Sequence, residues 1–325
     1  MAFCMDISIG LISKYRSQIM GLATLWVMTS HVRIPSSAGG FFNFFQYIGF
    51  GGVEMFMLVS GFGLFFALQK SISLHNYYYR RFVRIVPIWM IAIVLLYFLC
   101  SPFPLLSTEF VRRVGQCWWF VPFIIFIYII SPIVYAAVKS EKMWPSVLCI
   151  GLVLLLQVAY KVSGMSNITV TLSFARIFDF MIGLWLAKKM TEGGKLHVSL
   201  IVLAGLSGFI VVYLCNQDII FEGFWTEHHD LRLYLMILTG PLMCLIAIVV
   251  SAISKYLSAI LKWIGEMSFE VYLFHVLIWW IIRDDNLLPW YFFYPISLFA
   301  SFVMHIVNKQ LSELIMSKEV CKKQY

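Results

Sequence analysis

Ten apolar runs divide this chain of 325 residues, and they constrain its fold more than any other feature of the sequence. A helix that crosses the hydrocarbon core of a bilayer, about 30 Å thick, needs about 20 apolar residues at a rise of 1.5 Å each. The runs lie at residues 16–34, 46–69, 83–101, 120–138, 145–162, 171–190, 197–215, 231–254, 262–283 and 290–312. We therefore predict an all-α polytopic integral membrane protein with about ten transmembrane helices.

The composition indicates one domain that lies in lipid. Hydrophobic residues make up 61% of the chain and charged residues only 12%, whereas soluble domains carry about 25% charged residues. This excludes an ordinary water-soluble enzyme. The seven cysteines are scattered and form no C-x-x-C pair, so we expect no metal site. The linkers between runs are short, and we expect a single transmembrane domain over 1–325, with its core motifs within 16–312 and no soluble domain.

The distribution of basic residues predicts the topology. Cytoplasmic loops hold an excess of Lys and Arg, and a cytoplasmic N-terminus places 17 of the 24 basic residues on the inner side. Ten spans return the C-terminus to that side, so both termini are predicted to be cytoplasmic in a multi-pass protein. Topology thus accounts for most of the net charge of +8, and a nucleic-acid partner is not needed to explain it.

His31 and Glu54 are ionisable, and both lie inside predicted spans near their predicted outer ends. His31 precedes Pro35 by one helical turn, and ionisable groups inside a membrane are candidates for function. His31 is either a general base or an interfacial histidine that bonds to a neighbouring helix. Glu54 either orients the imidazole of His31, as a carboxylate beside a base does, or it reaches the outer interface or pairs with Arg33.

Three arginines follow the second span on the predicted inner side: Arg80, Arg81 and Arg84. The planar fork of donors on arginine suits phosphate groups. Basic residues at a cytoplasmic helix end are also what topology alone demands. The residues themselves leave both interpretations open.

Six stretches, in order along the chain, resemble the membrane-bound acyltransferase 3 family of bacterial surface-polysaccharide O-acetyltransferases. The stretches are GLATLWVMTSH (21–31), GFGGVEMFMLVSGFGLF (49–65), YYYRRFVRIVPIW (77–89), CWWFVPFIIFIYIISP (117–132), ARIFDFMIGLWLA (175–187) and MSFEVYLFH (267–275). In the same order, the first stretch is similar to the family's first span, which ends in a histidine. The other five are similar to the family patterns G-V-x-x-F-F-x-L-S-G-F, R-x-x-R-I-x-P, L-W-F-L-P, R-x-x-x-F-x-x-G and S-Y-x-x-Y-L-x-H.

The resemblance implies an O-acyltransferase that moves an acetyl group from cytosolic acetyl-CoA to a sugar hydroxyl. The implied acceptor is a cell-surface polysaccharide or its lipid-linked precursor, and the implied location is the bacterial cytoplasmic membrane. Membrane lipid, the polysaccharide acceptor and glycan-assembly proteins are the implied partners, with acetyl-CoA as the acyl donor and no metal.

The same resemblance implies roles for individual residues. It makes His31 the general base, or the group that briefly carries the acyl group, and it makes Arg81 and Arg84, with Arg80 beside them, the residues that bind CoA. Four further positions match the family as candidates for substrate binding: Trp119, Arg176, Tyr272 and His275.

One family position differs in this chain. The family typically has an arginine eleven residues before the histidine of the first span, where this chain has Met20. Arg16 lies one helical turn earlier, and residues four apart share a helix face. We therefore interpret Arg16 as the residue that takes over this role in binding the donor.

The predicted positions lie on opposite sides of the membrane. Arg16 and the three arginines that follow the second span are on the inner side. His31 is near the outer side, roughly 22 Å from Arg16 along the same helix. We expect the nucleotide of the donor to stay at the inner face while the pantetheine arm reaches towards His31. The alternatives are a polysaccharide transporter or exporter, which also suits many spans with buried charge, and an inactive scaffold.

Overall fold

The computed structural model describes residues 6–32, 40–70, 73–100, 104–105, 107–164, 168–216, 229–285 and 290–322. Nearly all of these residues are helical. The elements are β1 (Asp6–Ser8), α1 (Gly10–Lys14), α2 (Arg16–His31), α3 (Gly40–Tyr47), a 3-10 turn (Gly49–Gly51), α4 (Gly52–Lys70), α5 (Leu74–Cys100), α6 (Thr108–Cys117), α7 (Phe120–Lys139), α8 (Trp144–Val162), α9 (Ile168–Thr191), β2 (Lys195–His197), α10 (Val198–Asn216), α11 (His229–Ile253), α12 (Lys255–Glu266), α13 (Ser268–Asp285), a 3-10 turn (Trp290–Phe292) and α14 (Phe293–Lys322).

Six helices in the described ranges are long and apolar enough to cross a membrane, and α12 with α13 make a seventh if they count as one broken span. The six are Gly49–Lys70, Leu74–Leu99, Phe120–Lys139, Trp144–Val162, Val198–Cys215 and Leu235–Ile253. The protein is thus a helical membrane protein, as predicted. The number of ten spans and the orientation of the termini stay predictions.

The other three predicted spans are also helices, but they are shorter or more polar. Helix α2 has 16 residues. Helix α9 carries the buried Arg176 and Asp179, and α14 carries His305, Asn308 and Lys309. These helices therefore contain many of the ionisable and polar groups that are candidates for function.

The chain divides into two compact units. The first unit consists of Met1–Val27, Tyr47–Lys70 and Ile130–Gly265, and the second unit consists of Met28–Gln46, Ser71–Ile129 and Glu266–Tyr325. Helix α2 begins in the first unit and ends in the second, and so His31 belongs to the second unit. The division was not predicted from the sequence.

In the first unit, α4 and α9 pack with their backbones in close contact. A Cβ atom added at Gly61 would overlap the carbonyl oxygen of Phe180, and one added at Gly183 would overlap the carbonyl oxygen of Leu58. Small residues that let backbones approach are common where membrane helices associate. Helix α11 packs against both helices and against α10. Glycines on both helices thus allow the close approach of α4 and α9.

The two strands, which the all-α prediction omitted, form an antiparallel ladder in the first unit. Asp6 lies opposite His197, and Ser8 lies opposite Lys195. The chain turns from α9 into β2 at Gly193, whose φ of 73° is in the left-handed region that favours glycine. Three-residue strands carry too little of a hydrophobic pattern to be predicted from the sequence.

In the second unit, α5, α13 and α14 pack against one another. The short helix α6 begins after Ser107, whose hydroxyl accepts a hydrogen bond from the backbone N–H of Phe110 at 3.2 Å. In its first turn, the backbone N–H of Glu109 and then the Thr108 hydroxyl lower the pKa of the exposed Glu109 carboxyl. Pro87 lies within α5, and membrane proteins tolerate proline inside a helix more readily than soluble proteins do.

Replacing Gly61 with alanine should destabilise the protein, because the added methyl group meets the rigid backbone of Phe180. We expect a loss of about 1–3 kcal/mol, as for other overpacked sites. Gly151→Ala on α8 is the matched control, since a Cβ there has nothing within 4 Å. Thermal unfolding in detergent should show a lower midpoint for Gly61→Ala only, and equal midpoints would contradict close α4–α9 packing.

Candidate functional site

Two imidazole rings lie side by side in the second unit. The ring of His31, at the end of α2, has its centroid 4.9 Å from that of His275 on α13, and the two planes are at 79°. His31 is half-buried and His275 is 1% exposed. The hydroxyl of Ser30 lies 3.2 Å from Nδ1 of His31. The structure thus brings together two residues that the sequence analysis assigned separately.

The hydrogen bond of His275 determines which of its ring nitrogens carries the proton. Its Nδ1 lies 2.7 Å from the carbonyl oxygen of Val271, one turn earlier in α13. A carbonyl oxygen only accepts, so Nδ1–H is the donor. The neutral ring then has a lone pair at Nε2, which is buried and has no hydrogen-bond partner among the described residues. An acceptor is therefore available next to His31.

Aromatic side chains surround this histidine pair. The ring of Trp279 lies 5.9 Å from that of His31, and the ring of Tyr272 lies 6.0 Å from that of His275. The Tyr272 hydroxyl accepts a hydrogen bond from the backbone N–H of Phe120 at 3.2 Å, and the ring of Phe120 lies 5.8 Å from that of Trp119. The predicted substrate residues Trp119, Tyr272 and His275 thus belong to one connected aromatic cluster with His31.

The three predicted CoA-binding arginines lie on α5 in the same unit. Arg80 and Arg84 are exposed. The guanidinium of Arg81 lies over the rings of Tyr77 and Tyr128, at 5.7 and 5.3 Å from their centroids. Such stacking orients a guanidinium while its N–H groups remain able to donate. The arginines therefore have the exposure and the donor groups that phosphates of a nucleotide require.

Arg16, the predicted replacement for the arginine missing at Met20, belongs to the first unit. It is exposed at the start of α2. Its guanidinium carbon would be 3.0 Å from a Cβ added at Gly63 on α4. Arg16 thus packs against a glycine that leaves room for it, and its role in binding the donor stays a prediction.

The first unit also holds a cluster of three buried ionisable side chains at the α4–α9 interface. Arg176 Nε lies 3.3 Å from Glu54 Oε1, and both side chains are 1% exposed. Asp179, which is fully buried, follows Arg176 by three residues on α9, and a Cβ added at Gly240 on α11 would touch both Glu54 and Asp179. Removing an unpaired charge from water is costly, so the guanidinium serves as the counter-charge for the carboxylate of Glu54.

This cluster gives Glu54 and Arg176 a partnership that the sequence analysis did not anticipate. It assigned Glu54 to His31, to the outer interface or to Arg33, and Arg176 to the substrate. Arg33 lies outside the described residues, and the role of Glu54 as an orienting acid for His31 stays a prediction. The glycines at 61 and 183 were the one available signal, because residues of adjacent helices that allow backbone contact also bring neighbouring side chains together.

Comparison with models of known protein families matches residues 19–307 to the model Acyl_transf_3, an acyltransferase domain. The match covers most of the chain and contains both histidines of the pair. The chain matches no curated protein and no solved structure.

Replacing Arg176 with methionine should destabilise the protein by about 3 kcal/mol or more, because Glu54 then loses its buried counter-charge. Lys189→Met is the matched control: Lys189 and Glu192 also have an N–O distance of 3.3 Å, but both are more than 40% exposed. Exposed pairs contribute at most about 1 kcal/mol. Unfolding in detergent should separate the variants, and equal losses would show that burial of the Arg176 pair carries no special weight.

Proposed function

This chain belongs to the acyltransferase 3 family, and on that premise we propose that it is an O-acetyltransferase of the bacterial cytoplasmic membrane. It moves an acetyl group from acetyl-CoA to a hydroxyl of a surface polysaccharide or of its lipid-linked precursor. The observation that carries this proposal is the pair formed by His31 and His275 within the matched region.

Acyl transfer requires a base that accepts the proton of the acceptor hydroxyl, and His31 of this pair serves as that base. His31 accepts the proton of the acceptor hydroxyl at a ring nitrogen, and the hydroxyl oxygen attacks the thioester carbonyl carbon. A carbon–oxygen bond forms and the carbon–sulfur bond breaks. The thiolate that leaves takes the proton back from His31, so that the base is regenerated.

Two neighbours position His31 for this step. When its Nδ1–H donates to the Ser30 hydroxyl oxygen at 3.2 Å, the lone pair is at Nε2. His275, whose own lone pair is at Nε2, is next to the ring that becomes cationic during the reaction and is a positioning residue for it. The aromatic cluster of Trp279, Tyr272 and Trp119 provides flat apolar surfaces for a sugar ring or for the acyl arm.

We assign the donor's phosphates to the arginines at the start of α5 in the same unit. Arg80, Arg81 and Arg84 present guanidinium groups there, and their side of the membrane is cytoplasmic by the distribution of basic residues. The nucleotide end is held at these arginines, and the thioester end reaches the histidine pair between the helices of the second unit.

Replacing His31 with alanine should lower acetyl transfer at least about 100-fold, since a positioned base contributes that much or more. The measurement is acetylation of the surface polymer in cells with matched protein levels, together with transfer from acetyl-CoA by the purified protein. His197→Ala is the control, because His197 is an exposed histidine of the first unit that contacts Asp6.

Undiminished acetylation by the His31→Ala variant would exclude His31 as the base. Wild-type protein that moves glycan across vesicles but does not transfer acetyl groups from acetyl-CoA would support the transporter alternative instead.

Replacing Arg16 with alanine should raise the KM for acetyl-CoA about tenfold if Arg16 takes over the role of the arginine missing at Met20, since one charge-assisted contact is lost. Lys14→Ala is the control, because Lys14 is an exposed basic residue two positions earlier. Steady-state kinetics with purified protein measures the effect. Equal KM values for the wild type and both variants would show that Arg16 does not contact the donor.

A further inference from the structure

A buried carboxylate joins the three packed helices of the second unit at a point that the acyl-transfer chemistry does not use. Glu270 on α13 is 4% exposed. One of its oxygens accepts a hydrogen bond from the Asn308 amide at 2.6 Å, and the other lies 3.3 Å from Nδ1 of His305 on α14. The Asn308 amide also donates to the backbone carbonyl oxygen of Arg84 on α5 at 3.4 Å.

The Glu270 carboxylate beside His305 favours the protonated imidazole, in which both ring nitrogens are hydrogen-bond donors. A carboxylate beside one ring nitrogen stabilises the proton there and orients the ring. The second nitrogen of His305 then points away from Glu270, on a side chain that is 33% exposed. A neutral structural histidine does not need a buried carboxylate, whose own burial is costly without a charged or hydrogen-bonded partner.

The charges around His305 indicate what it donates to. The Arg84 guanidinium is close enough to interact electrostatically with His305, as are the carboxylates of Glu270 and Glu266. Arg84 is exposed and is one turn from the exposed Arg80. Topology explains arginines at a helix end, but it does not explain a histidine that is held beside them by a buried carboxylate.

We propose that His305 and Arg84 form a binding site for a phosphate group, with Glu270 and Asn308 as its positioning residues. A planar guanidinium and an imidazolium N–H together match the several acceptor oxygens of a phosphate, and its negative charge offsets their mutual repulsion. The phosphate belongs either to the nucleotide end of CoA or to the head group of an anionic phospholipid. The CoA source rests on the proposed function, whereas the lipid source does not.

The test uses the full-length protein, purified and placed in lipid nanodiscs. The first arm compares the binding of CoA with that of pantetheine, which lacks the phosphates. In nanodiscs of phosphatidylcholine, His305→Ala should weaken the binding of CoA about tenfold and leave the binding of pantetheine unchanged. The second arm compares thermal unfolding in phosphatidylcholine and in phosphatidylglycerol, where a lipid site should stabilise the wild type but not the variant.

Three variants separate charge from structure. Glu270→Gln keeps the shape and the acceptor for Asn308 but removes the charge, and it should weaken phosphate binding in the same arm as His305→Ala. His305→Lys keeps a positive charge and should restore part of the binding. His75→Ala is the control, since His75 is an exposed histidine on the same helix as Arg84 and stacks on Tyr79.

A loss in either arm supports the site and identifies the source of the phosphate. If folded His305→Ala and Glu270→Gln match the wild type in both arms, the proposal is overturned. Acetyl transfer is measured on the same preparations, so that a wild type which binds phosphate through His305 but transfers no acetyl group refutes the proposed function and not this site.

Discussion

An ionised side chain that leaves water inside a membrane protein needs an opposite charge or several hydrogen bonds next to it, and the structure depends on this requirement. Glu54 meets it with Arg176 at 3.3 Å, and Glu270 meets it with Asn308 at 2.6 Å. Lys188 donates to the carbonyl oxygens of Val138 and Ser140 at 3.0 and 2.7 Å, at the end of α7. Each of these contacts joins residues of different helices and therefore also determines how those helices pack.

The requirement explains why the helices with buried polar groups are those that are least apolar. Helix α9 has Arg176 and Asp179 where a simple span would have aliphatic residues, and α14 has His305 and Asn308. By contrast, most side chains of α8 are exposed, and they are mostly apolar. Exposing such an apolar surface to lipid costs little free energy. Polarity within a helix is thus the better guide to its contacts, and apolarity the better guide to whether it crosses the membrane.

The helices could be predicted from the sequence, because an apolar run is a local property and each of the ten runs consists mainly of helix in the described residues. The break between α12 and α13 within the run 262–283 was not predicted. The arginines of α5 and the histidine at the end of α2 could be proposed as site residues for the same reason. The partners of buried residues could not be predicted. Glu54 pairs with Arg176 because glycines let α4 and α9 approach, and nothing near either residue in the sequence specifies the other.

The contact between His31 and His275 could not be predicted from the sequence either, although both residues could be recognised as candidates. His31 and His275 were each visible as ionisable residues in apolar runs, but only the packing of α13 in the second unit shows that their rings are 4.9 Å apart. The hydrogen bond from His275 to Val271 is, in contrast, a local one that spans a single helical turn. It leaves the lone pair of the neutral ring at the buried Nε2.

The two units bring different parts of the candidate chemistry together. The second unit contains the histidine pair, the aromatic cluster, the arginines of α5 and the Glu270 cluster. The first unit contains Arg16 and the Glu54–Arg176–Asp179 cluster, which lies where α4 and α9 pack closely. The residues that we propose as the base, as the neighbour of its cationic form and as the donors to phosphate therefore all belong to one unit. The buried charges of the other unit have a sufficient physical reason in the packing of α4 against α9, because any helix pair that buries a guanidinium must bury its counter-charge with it.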